Sequence, residues 1–220
     1  MRSRLLPLII ALVGLGVSAD AARAGYEFRF ADSSGTFTNS FSFDATVTPT
    51  VDIRVYLVQT GGDTGLSATG LVSSGVKLSY GGTVANVAGP ANVFANAAFD
   101  DTPNKTVTAT EAALRQATDV NPPVKTLTTG PDANRVLIGT FRFTGLAVGS
   151  ELTLTVDPNA APVGNNVLDD GTVLDALIAN DSAVITVTNV PEPGTMVLAG
   201  LLATGIGGAG LRRLRPSVAV

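Results

Sequence analysis

The segment Val51-Asp52-Ile53-Arg54-Val55-Tyr56-Leu57-Val58-Gln59-Thr60 decides the fold of this 220-residue chain. Side chains on a β-strand point alternately to opposite faces. One face of this segment therefore carries four aliphatic residues: Val51, Ile53, Val55 and Leu57. The other face carries Asp52, Arg54 and Tyr56. The turn Gly61-Gly62-Asp63 ends the run. We predict a long strand that buries its aliphatic face.

Shorter β-rich runs punctuated by turn residues recur on both sides of this strand. They are residues 26–30, a second strand with Phe37, Phe41 and Phe43, and residues 71–80, 137–144, 152–156 and 183–188. Residues 137–144 and 152–156 are expected to form a late pair around the turn Val148-Gly149-Ser150. Many short strands at this spacing are typical of antiparallel sheets. The predicted fold class is all-β, an antiparallel β-sandwich.

One segment favours a helix instead. Residues 110–117 are Ala-rich and follow the potential caps Thr108 and Thr110. Pro103 and Pro122-Pro123 isolate this segment in an insertion from about 99 to 132. Long insertions are either functional or tolerated at the surface. We favour the second interpretation, because the insertion carries no concentrated chemistry.

Composition limits the classes of function. The formal net charge is −4 and the basic residues are partly concentrated at the two ends, so nucleic-acid binding is not expected. The chain has no Cys, His or Trp. Zinc sites built on Cys or His, thiol nucleophiles and Ser-His triads are therefore excluded. Glu27, Glu111 and Glu151 are scattered, so no carboxylate pair for glycosidase chemistry can be named. We predict a protein that is not an enzyme and uses no cofactor.

The N-terminus reads as a secretory signal peptide, residues 1–24. Arg2 and Arg4 precede an apolar run from 5 to 17, and Ala22-Arg23-Ala24 forms an A-x-A cleavage site. Val17-Ser18-Ala19 is an earlier alternative site, and a first transmembrane helix is an alternative interpretation of the whole segment. The mature body is then one domain of residues 25–189, which is an ordinary size for a single domain.

The C-terminus has three ordered elements. Val190-Pro191-Glu192-Pro193 cannot be helical or lie inside a sheet, because proline fixes φ and removes a backbone donor. The apolar run 195–211 would give a helix of about 25 Å, slightly less than the ~30 Å hydrocarbon core of a bilayer. Arg212, Arg213 and Arg215 would stop it on the cytoplasmic side, where residues 216–220 form a tail. A plain C-terminal anchor and a buried glycine-rich core segment are the alternatives.

This tripartite tail, residues 190–215, resembles the PEP-CTERM sorting signal of Gram-negative bacteria, also catalogued as an ice-binding-protein C-terminal domain. The resemblance implies a transient inner-membrane anchor and an exosortase-type protease that recognises Pro191, Glu192 and Pro193 and cuts near them. It further implies delivery to the cell envelope, the outer surface or the extracellular matrix. An exopolysaccharide or another surface protein is then the expected partner of the mature domain.

The body has a second resemblance. The long strand from Val51, the segment 70–80 and the segment Ile138-Gly139-Thr140-Phe141-Arg142-Phe143-Thr144 follow one another in the order found in cohesin and carbohydrate-binding-module jelly rolls. The resemblance covers roughly residues 50–190. It implies a carbohydrate- or protein-binding module, and the helical insertion departs from a minimal cohesin.

Few residues are candidates for a site. Asp169 and Asp170 offer oxygen ligands for Ca²⁺, but they lack the EF-hand spacing, and a plain Asx/Gly turn is the favoured interpretation. Asp63 and the pair Asp100-Asp101 are expected in solvated loops. Asp52 is expected to pair with a neighbouring cation, such as Arg54 or Lys77. Tyr56 is the candidate ligand contact.

Three functions remain, in decreasing order of preference. The first is a structural or adhesive surface protein that is delivered by its tail. The second is a carbohydrate- or protein-binding module of cohesin type, with an exposed face around Tyr56 or Tyr80. The third is a secreted hydrolase that uses carboxylates alone, for which the sequence offers no pair.

Overall fold

The computed structural model describes residues 25–44, 50–81, 89–127, 129–130, 132–145, 147–159 and 165–188. Most of these residues lie in strands, and one short helix, α1 (Gly65–Ala68), follows the third strand. The strands are β1 (Gly25–Ala31), β2 (Ser40–Asp44), β3 (Thr50–Thr60), β4 (Leu71–Tyr80), β5 (Val93–Ala95), β6 (Asn104–Val107), β7 (Glu111–Ala117), β8 (Arg135–Thr144), β9 (Glu151–Pro158), β10 (Val167–Leu168), β11 (Ile178–Ala179) and β12 (Asp181–Thr188). The predicted all-β class is confirmed.

The strands form two sheets. Sheet A has the order β11-β1-β3-β8-β5, and sheet B has the order β2-β12-β9-β4-β7-β6, with β10 added beside β4. Most neighbours are antiparallel, but β1 pairs with β11 in parallel and β12 pairs with β2 in parallel. The long strand predicted from residue 51 is β3, which lies in the middle of sheet A between β1 and β8.

The core lies between the two sheets, because each strand turns its apolar face inward. Sheet A contributes fully buried Phe28, Ile53, Leu57, Ile138 and Phe141, among others. Sheet B contributes Val76, Leu78, Leu114, Leu154 and Ile185 in the same way. Side chains of this size each stabilise the fold by about 1.5–3 kcal/mol when fully buried. The core therefore occupies the inner faces, and the chemistry available for binding lies on the two outer faces.

The helix predicted for residues 110–117 is wrong. The segment is strand β7, which pairs with β4 on one side and β6 on the other. Its burial alternates, with Ala112, Leu114 and Gln116 inside. A helix of eight residues is marginal on its own, whereas the strand gains two neighbours and a buried face. Tertiary pairing thus overrides the helix propensity of alanine. The insertion is part of sheet B, and the short helix of this fold is α1.

The late pair predicted around Val148 is also wrong. The two strands belong to different sheets: β8 pairs with β3 and β5, while β9 pairs with β4 and β12. The chain therefore crosses from one layer to the other between residues 144 and 151. Alternation identifies strands but does not identify their partners, since both sheets bury one face in the same core.

The predicted signal peptide, the sorting motif and the apolar run 195–211 lie outside the described residues. Within the described ranges, no helix has the length and apolar character needed to cross a membrane.

Candidate functional site

The outer face of sheet A collects an unusual share of the cationic side chains. Four of the five arginines in the described part of the chain belong to strands of this sheet: Arg29 of β1, Arg54 of β3, and Arg135 and Arg142 of β8. Three aromatic rings, Phe37, Tyr56 and Phe94, lie against these guanidinium groups or beside them. We call this set of seven residues the arginine–aromatic face.

A β-bulge in β8 puts Arg135 and Arg142 on the same face. On a regular strand, residues seven positions apart point to opposite sides. The register between β3 and β8 shifts at this point: Val55 pairs with Gly139, whereas the next residue, Tyr56, pairs with Leu137. Ile138 is therefore an extra residue, which reverses the alternation and turns Arg135 outward. Gly139 suits this position, since a Cβ there would stand 2.6 Å from a methyl group of Leu114.

Phe37 is the centre of one half of the face. The Arg29 and Arg135 guanidinium carbons lie 4.6 and 4.9 Å from the centre of its ring. Tyr56 meets Phe37 edge-on, with ring centres 5.7 Å apart, and also lies under Arg135 at 4.7 Å. Each such cation–π contact contributes about 0.5–1 kcal/mol at an exposed site. The cluster adds to the ion pairs that hold Arg29 and Arg135 in position.

The loop that carries Phe37 is held by its own turn. The Asp32 carboxylate accepts hydrogen bonds from the backbone N–H groups of Ser34 and Thr36 at 2.9 Å and from the Ser34 hydroxyl. The Ser34 hydroxyl contributes most to lowering the pKa of Asp32 below its ordinary value. Gly35 completes the turn at φ +88°, a conformation that a residue with a Cβ adopts only at a cost. The loop thus covers the β1–β3 part of the face.

The other half of the face is built on a bidentate ion pair. Arg142 donates from Nε and from Nη2 to the two Asp52 carboxylate oxygens, both at 2.7 Å. The hydrogen bonds to Asp52 raise the pKa of Arg142 above its ordinary value. The predicted pairing of Asp52 with a neighbouring cation is confirmed, but the cation is Arg142 and not Arg54 or Lys77. The Arg142 guanidinium carbon also lies 4.9 Å from the centre of the Phe94 ring.

Arg54 differs from the other three arginines. Its neighbours on the face are each paired with a carboxylate, in the pairs Arg29–Glu27, Arg135–Asp132 and Arg142–Asp52. Among the described residues, Arg54 has no acidic group within ion-pair distance. Its Nη1 points toward the turn at Gly35, 3.6 Å from where a Cβ of that residue would stand. Within the described part of the chain, Arg54 is therefore the cation of this face that no carboxylate neutralises.

Two depressions adjoin at Ser33 and Asp52: the smaller opens on this face, and the larger extends from it to strand β2 of sheet B. The smaller, of about 200 Å³, is lined by Ser33, Asp52, Arg54, Phe94, Thr140 and Arg142. The larger, of about 590 Å³, runs from Ser33 and Asp52 along hydroxyl side chains that include Thr36, Thr38, Ser40, Ser42 and Thr50. They share Ser33 and Asp52, and together they fall in the size range of small-ligand sites.

The outer face of sheet B is built from smaller side chains. Ser73 of β4 and Arg115 of β7 line a depression of about 190 Å³ there, together with Asp101 and Asn165. Asn165 packs over Gly75, whose absent Cβ would stand 2.4 Å from the Asn165 Cβ. Asn165 is 2% exposed, and its amide nitrogen and oxygen have no hydrogen-bond partner in the described part of the chain.

The neighbouring Asn166 completes the backbone ladder of β4 with its side chain. Its Nδ2 donates to the Gly75 carbonyl at 2.8 Å, and its Oδ1 accepts from the Gly75 N–H at 3.3 Å. The Asp175 carboxylate in turn accepts from the Asn166 Nδ2 at 2.7 Å and from the backbone N–H groups of Asn165 and Asn166. Strand β9 pairs with β4 only from Val76 to Tyr80. At Gly75, the network therefore takes the place of a strand partner.

The residues predicted from the sequence lie in several places. Tyr56 lies on the arginine–aromatic face but is 7% exposed, so it supports the face, while Phe94, 39% exposed, offers the accessible ring. Asp170 accepts from the Thr172 N–H in an exposed turn, and this hydrogen bond lowers its pKa. Asp169 is exposed in the same turn. No group of three or more carboxylates that could hold a metal ion occurs within the described residues.

Two aspartates predicted in solvated loops have structural partners. Asp63 accepts hydrogen bonds from the Tyr26 hydroxyl at 2.6 Å and from the Gly65 N–H at 2.9 Å. Burial, more than this hydrogen bond, raises the pKa of Tyr26 above its ordinary value. The exposed Asp100 carboxylate accepts from three successive backbone N–H groups of residues 119–121, and the first of these contributes most to lowering its pKa. Both aspartates hold loops in place.

Several solved structures that match this chain are cohesin modules. No family profile and no curated protein matches the chain. The sixth cohesin of the Acetivibrio cellulolyticus scaffoldin B, solved with a dockerin, matches with a TM-score of 0.48 at 11% identity, over 74% of this chain and 99% of the cohesin. A cohesin module of a Clostridium perfringens family 33 glycoside hydrolase matches with a TM-score of 0.47 at 10% identity, over 76% and 99%. A type III cohesin of a Ruminococcus flavefaciens cell-surface anchoring scaffoldin matches with a TM-score of 0.45 at 10% identity, over 79% and 93%.

These solved modules have a β-sandwich architecture similar to that of this chain. Identities of 10–11% and TM-scores below 0.5 are too low to transfer a partner or an activity. The assignment of this chain as an antiparallel β-sandwich rests on its own strand order and register.

Proposed function

We propose that this chain is an exported, non-catalytic binding protein of the bacterial cell surface, whose β-sandwich adheres to a ligand through the arginine–aromatic face. The observation that carries the proposal is the concentration of Arg29, Arg54, Arg135 and Arg142 with exposed Phe94 on one sheet face. Clustered arginines and aromatic rings are characteristic of binding surfaces. A face that carries four arginines, of which Arg54 has no carboxylate partner among the described residues, is suited to an anionic or polar ligand.

The two termini supply the cellular context of the proposal. The A-x-A site at Ala22 and Ala24 would release the chain on the far side of the inner membrane. The motif Val190-Pro191-Glu192-Pro193, the apolar run 195–211 and the arginines after it would hold the protein in the membrane until an exosortase-type protease cuts the tail. The mature sandwich would then reside in the envelope or in an extracellular matrix such as an exopolysaccharide.

One feature of sheet B favours a second kind of binding, in which the partner is another surface protein. The Asn165 amide is buried at the edge of the depression beside Arg115, with no hydrogen-bond partner among the described residues. An unsatisfied buried amide costs about 1–3 kcal/mol, which a partner's polar group or a water molecule would recover. The small side chains around it would allow close approach of a second backbone.

A cosedimentation experiment distinguishes the two faces. The full chain, labelled and held in mild detergent, is mixed with envelope material from a strain of the native host that lacks it. A variant of sheet A combines Arg54→Gln with Phe94→Ala, and a matched variant of sheet B combines Lys77→Gln with Arg115→Gln. Loss of cosedimentation in the first variant alone supports the proposal. Loss in the second variant alone supports protein docking on sheet B, and failure of the unmodified chain to cosediment refutes an adhesive role.

A further inference from the structure

The smaller depression of the arginine–aromatic face combines three chemical elements that one ligand class would satisfy together. These are a cation without a carboxylate partner among the described residues, an exposed aromatic ring and the two hydroxyl groups of Ser33 and Thr140. The ligand class inferred for this depression rests on the proposed function, because the depression belongs to that same face.

The first element is the cation. The Arg54 guanidinium is half-buried beneath the turn at Gly35, and among the described residues no carboxylate lies within ion-pair distance of it. A guanidinium has a rigid planar fork that matches a carboxylate in a bidentate geometry, as Arg142 and Asp52 demonstrate a few ångströms away. The depression therefore lacks one anionic group, which a carboxylate on the ligand would supply.

The second element is the ring of Phe94. It lies on the edge strand β5, opposite Thr140 in the register, and it is 39% exposed. The Arg142 guanidinium carbon lies 4.9 Å from the centre of this ring, and the contact fixes the orientation of the ring. A flat, half-exposed ring that borders polar side chains is suited to stacking against the C–H face of a sugar ring.

The third element is the row of hydroxyls. Ser33 and Thr140 line the smaller depression, and five further hydroxyl side chains line the adjoining one. Hydroxyls both donate and accept hydrogen bonds, so they match the alternating hydroxyls of a saccharide chain. The combined volume of the two depressions would accommodate more than one sugar unit.

The same face argues against an extended peptide. Peptides that add to a sheet use a free strand edge for backbone hydrogen bonds. Strands β1, β3 and β8, which form the floor, are each paired on both sides in sheet A. Recognition on this floor therefore uses side chains, and those present suit a carboxylated sugar; the edge strands β5 and β2, which border the depressions, are where a peptide could add.

From these observations we infer that the two depressions bind an acidic oligosaccharide, with the carboxylate of a uronic acid residue on Arg54 and an adjacent sugar ring stacked on Phe94. The hydroxyl-lined depression holds the following sugar units.

Isothermal titration of the full chain in mild detergent tests this inference. The probe is a defined oligosaccharide of alternating glucuronate and N-acetylglucosamine, and its matched control is the same oligosaccharide with its carboxylates reduced to alcohols. We expect the reduced probe to bind at least tenfold more weakly, because a charge-assisted hydrogen bond is lost. Equal binding of the two probes, or no binding of either, would overturn the inference.

Two variants and a peptide extend the test. Arg54→Gln should reduce the affinity for the acidic probe at least tenfold, and Phe94→Ala should reduce the affinity for both probes. Lys105→Gln, which changes a cation on strand β6 of the opposite sheet, should leave the affinity unchanged. A polyglutamate peptide of equal charge should not compete, and full competition by it would show that the face selects charge alone and would overturn the saccharide assignment.

The failure of this inference differs from the failure of the proposed function. If the unmodified chain cosediments with envelope material through sheet A but does not bind the acidic probe, the ligand class is wrong and the adhesive function stands. If it does neither, both are wrong.

Discussion

Replacement of Asn166 by alanine should destabilise the sandwich more than any other single change to a polar side chain of sheet B. The substitution removes the side chain that acts as a strand partner for Gly75. The buried Gly75 N–H then has no acceptor, whereas its carbonyl keeps a longer bond of 3.3 Å from the Asn159 N–H. Asp175 keeps its two backbone donors and loses the Asn166 Nδ2.

The magnitude follows from these contacts. An orphaned buried donor costs about 1–3 kcal/mol, and a lost hydrogen bond costs about 0.5–1.5 kcal/mol, or more when one partner is charged. The expected loss for Asn166→Ala is therefore about 3 kcal/mol in the free energy of unfolding. For a domain of this size, it corresponds to a fall in melting temperature of roughly 6–12 °C.

Urea unfolding of the full chain in mild detergent, followed by circular dichroism, measures this loss. Asn104→Ala is the matched control, because Asn104 is exposed on the edge strand β6 and should change the free energy by less than about 0.5 kcal/mol. Asn166→Asp should be worse than Asn166→Ala at neutral pH, since it brings a second carboxylate against Asp175. A loss below about 1 kcal/mol for Asn166→Ala would refute the idea that this side chain replaces a strand.

Three further predictions concern the tail, a turn and a loop. Glu192→Ala should leave an uncleaved, membrane-retained form, which the intact mass of the protein from membrane and extracellular fractions would reveal; normal processing would count against the sorting motif. Gly35→Ala should destabilise the fold by about 1–2 kcal/mol in urea unfolding, because its φ is +88°, whereas Gly62→Ala, with open space around it, should have little effect. The depressed pKa of Asp100 stabilises the folded state above the ordinary aspartate pKa, and this contribution is lost as the pH falls through the folded value. Asp100→Asn should therefore speed amide exchange in residues 119–121 at neutral pH more than Asp101→Asn does, and equal rates would contradict the role of this carboxylate.

The strands of the sandwich could be predicted because alternation is a local signal. Residues 71–80 were predicted as a strand with the bounds that β4 has, and β3 differs from its prediction by one residue. Strand β7 was missed because Ala112, Ala113 and Leu114 satisfy a helical and an extended pattern equally well. Only the pairing with β4 decides between the two, and pairing is not visible in the sequence.

The binding face was only partly visible in the sequence. The alternation of β3 correctly put Asp52, Arg54 and Tyr56 on one side. Arg29 could have been added by the same rule, since it alternates with Phe28 and Phe30. The position of Arg135 could not have been predicted, because it depends on a bulge of a single residue. Phe37, expected on a second strand with Phe41 and Phe43, lies in the loop before β2, and Phe94 lies on the short edge strand β5, so alternation alone did not place either ring on the face.

The parallel pairing of β12 with β2 has a mechanical consequence for a tethered adhesin. Strand β12 is the last described strand before the predicted anchor, and it lies between β9 and β2 rather than at an edge. A pull along it from the C-terminal side would load its hydrogen bonds to both neighbours in shear. These bonds would have to break together, whereas the bonds of a peeled edge strand break one after another. As long as the tail anchors the chain, drag on a cell held by the ligand would thus load β12 in shear and would not peel it from an edge.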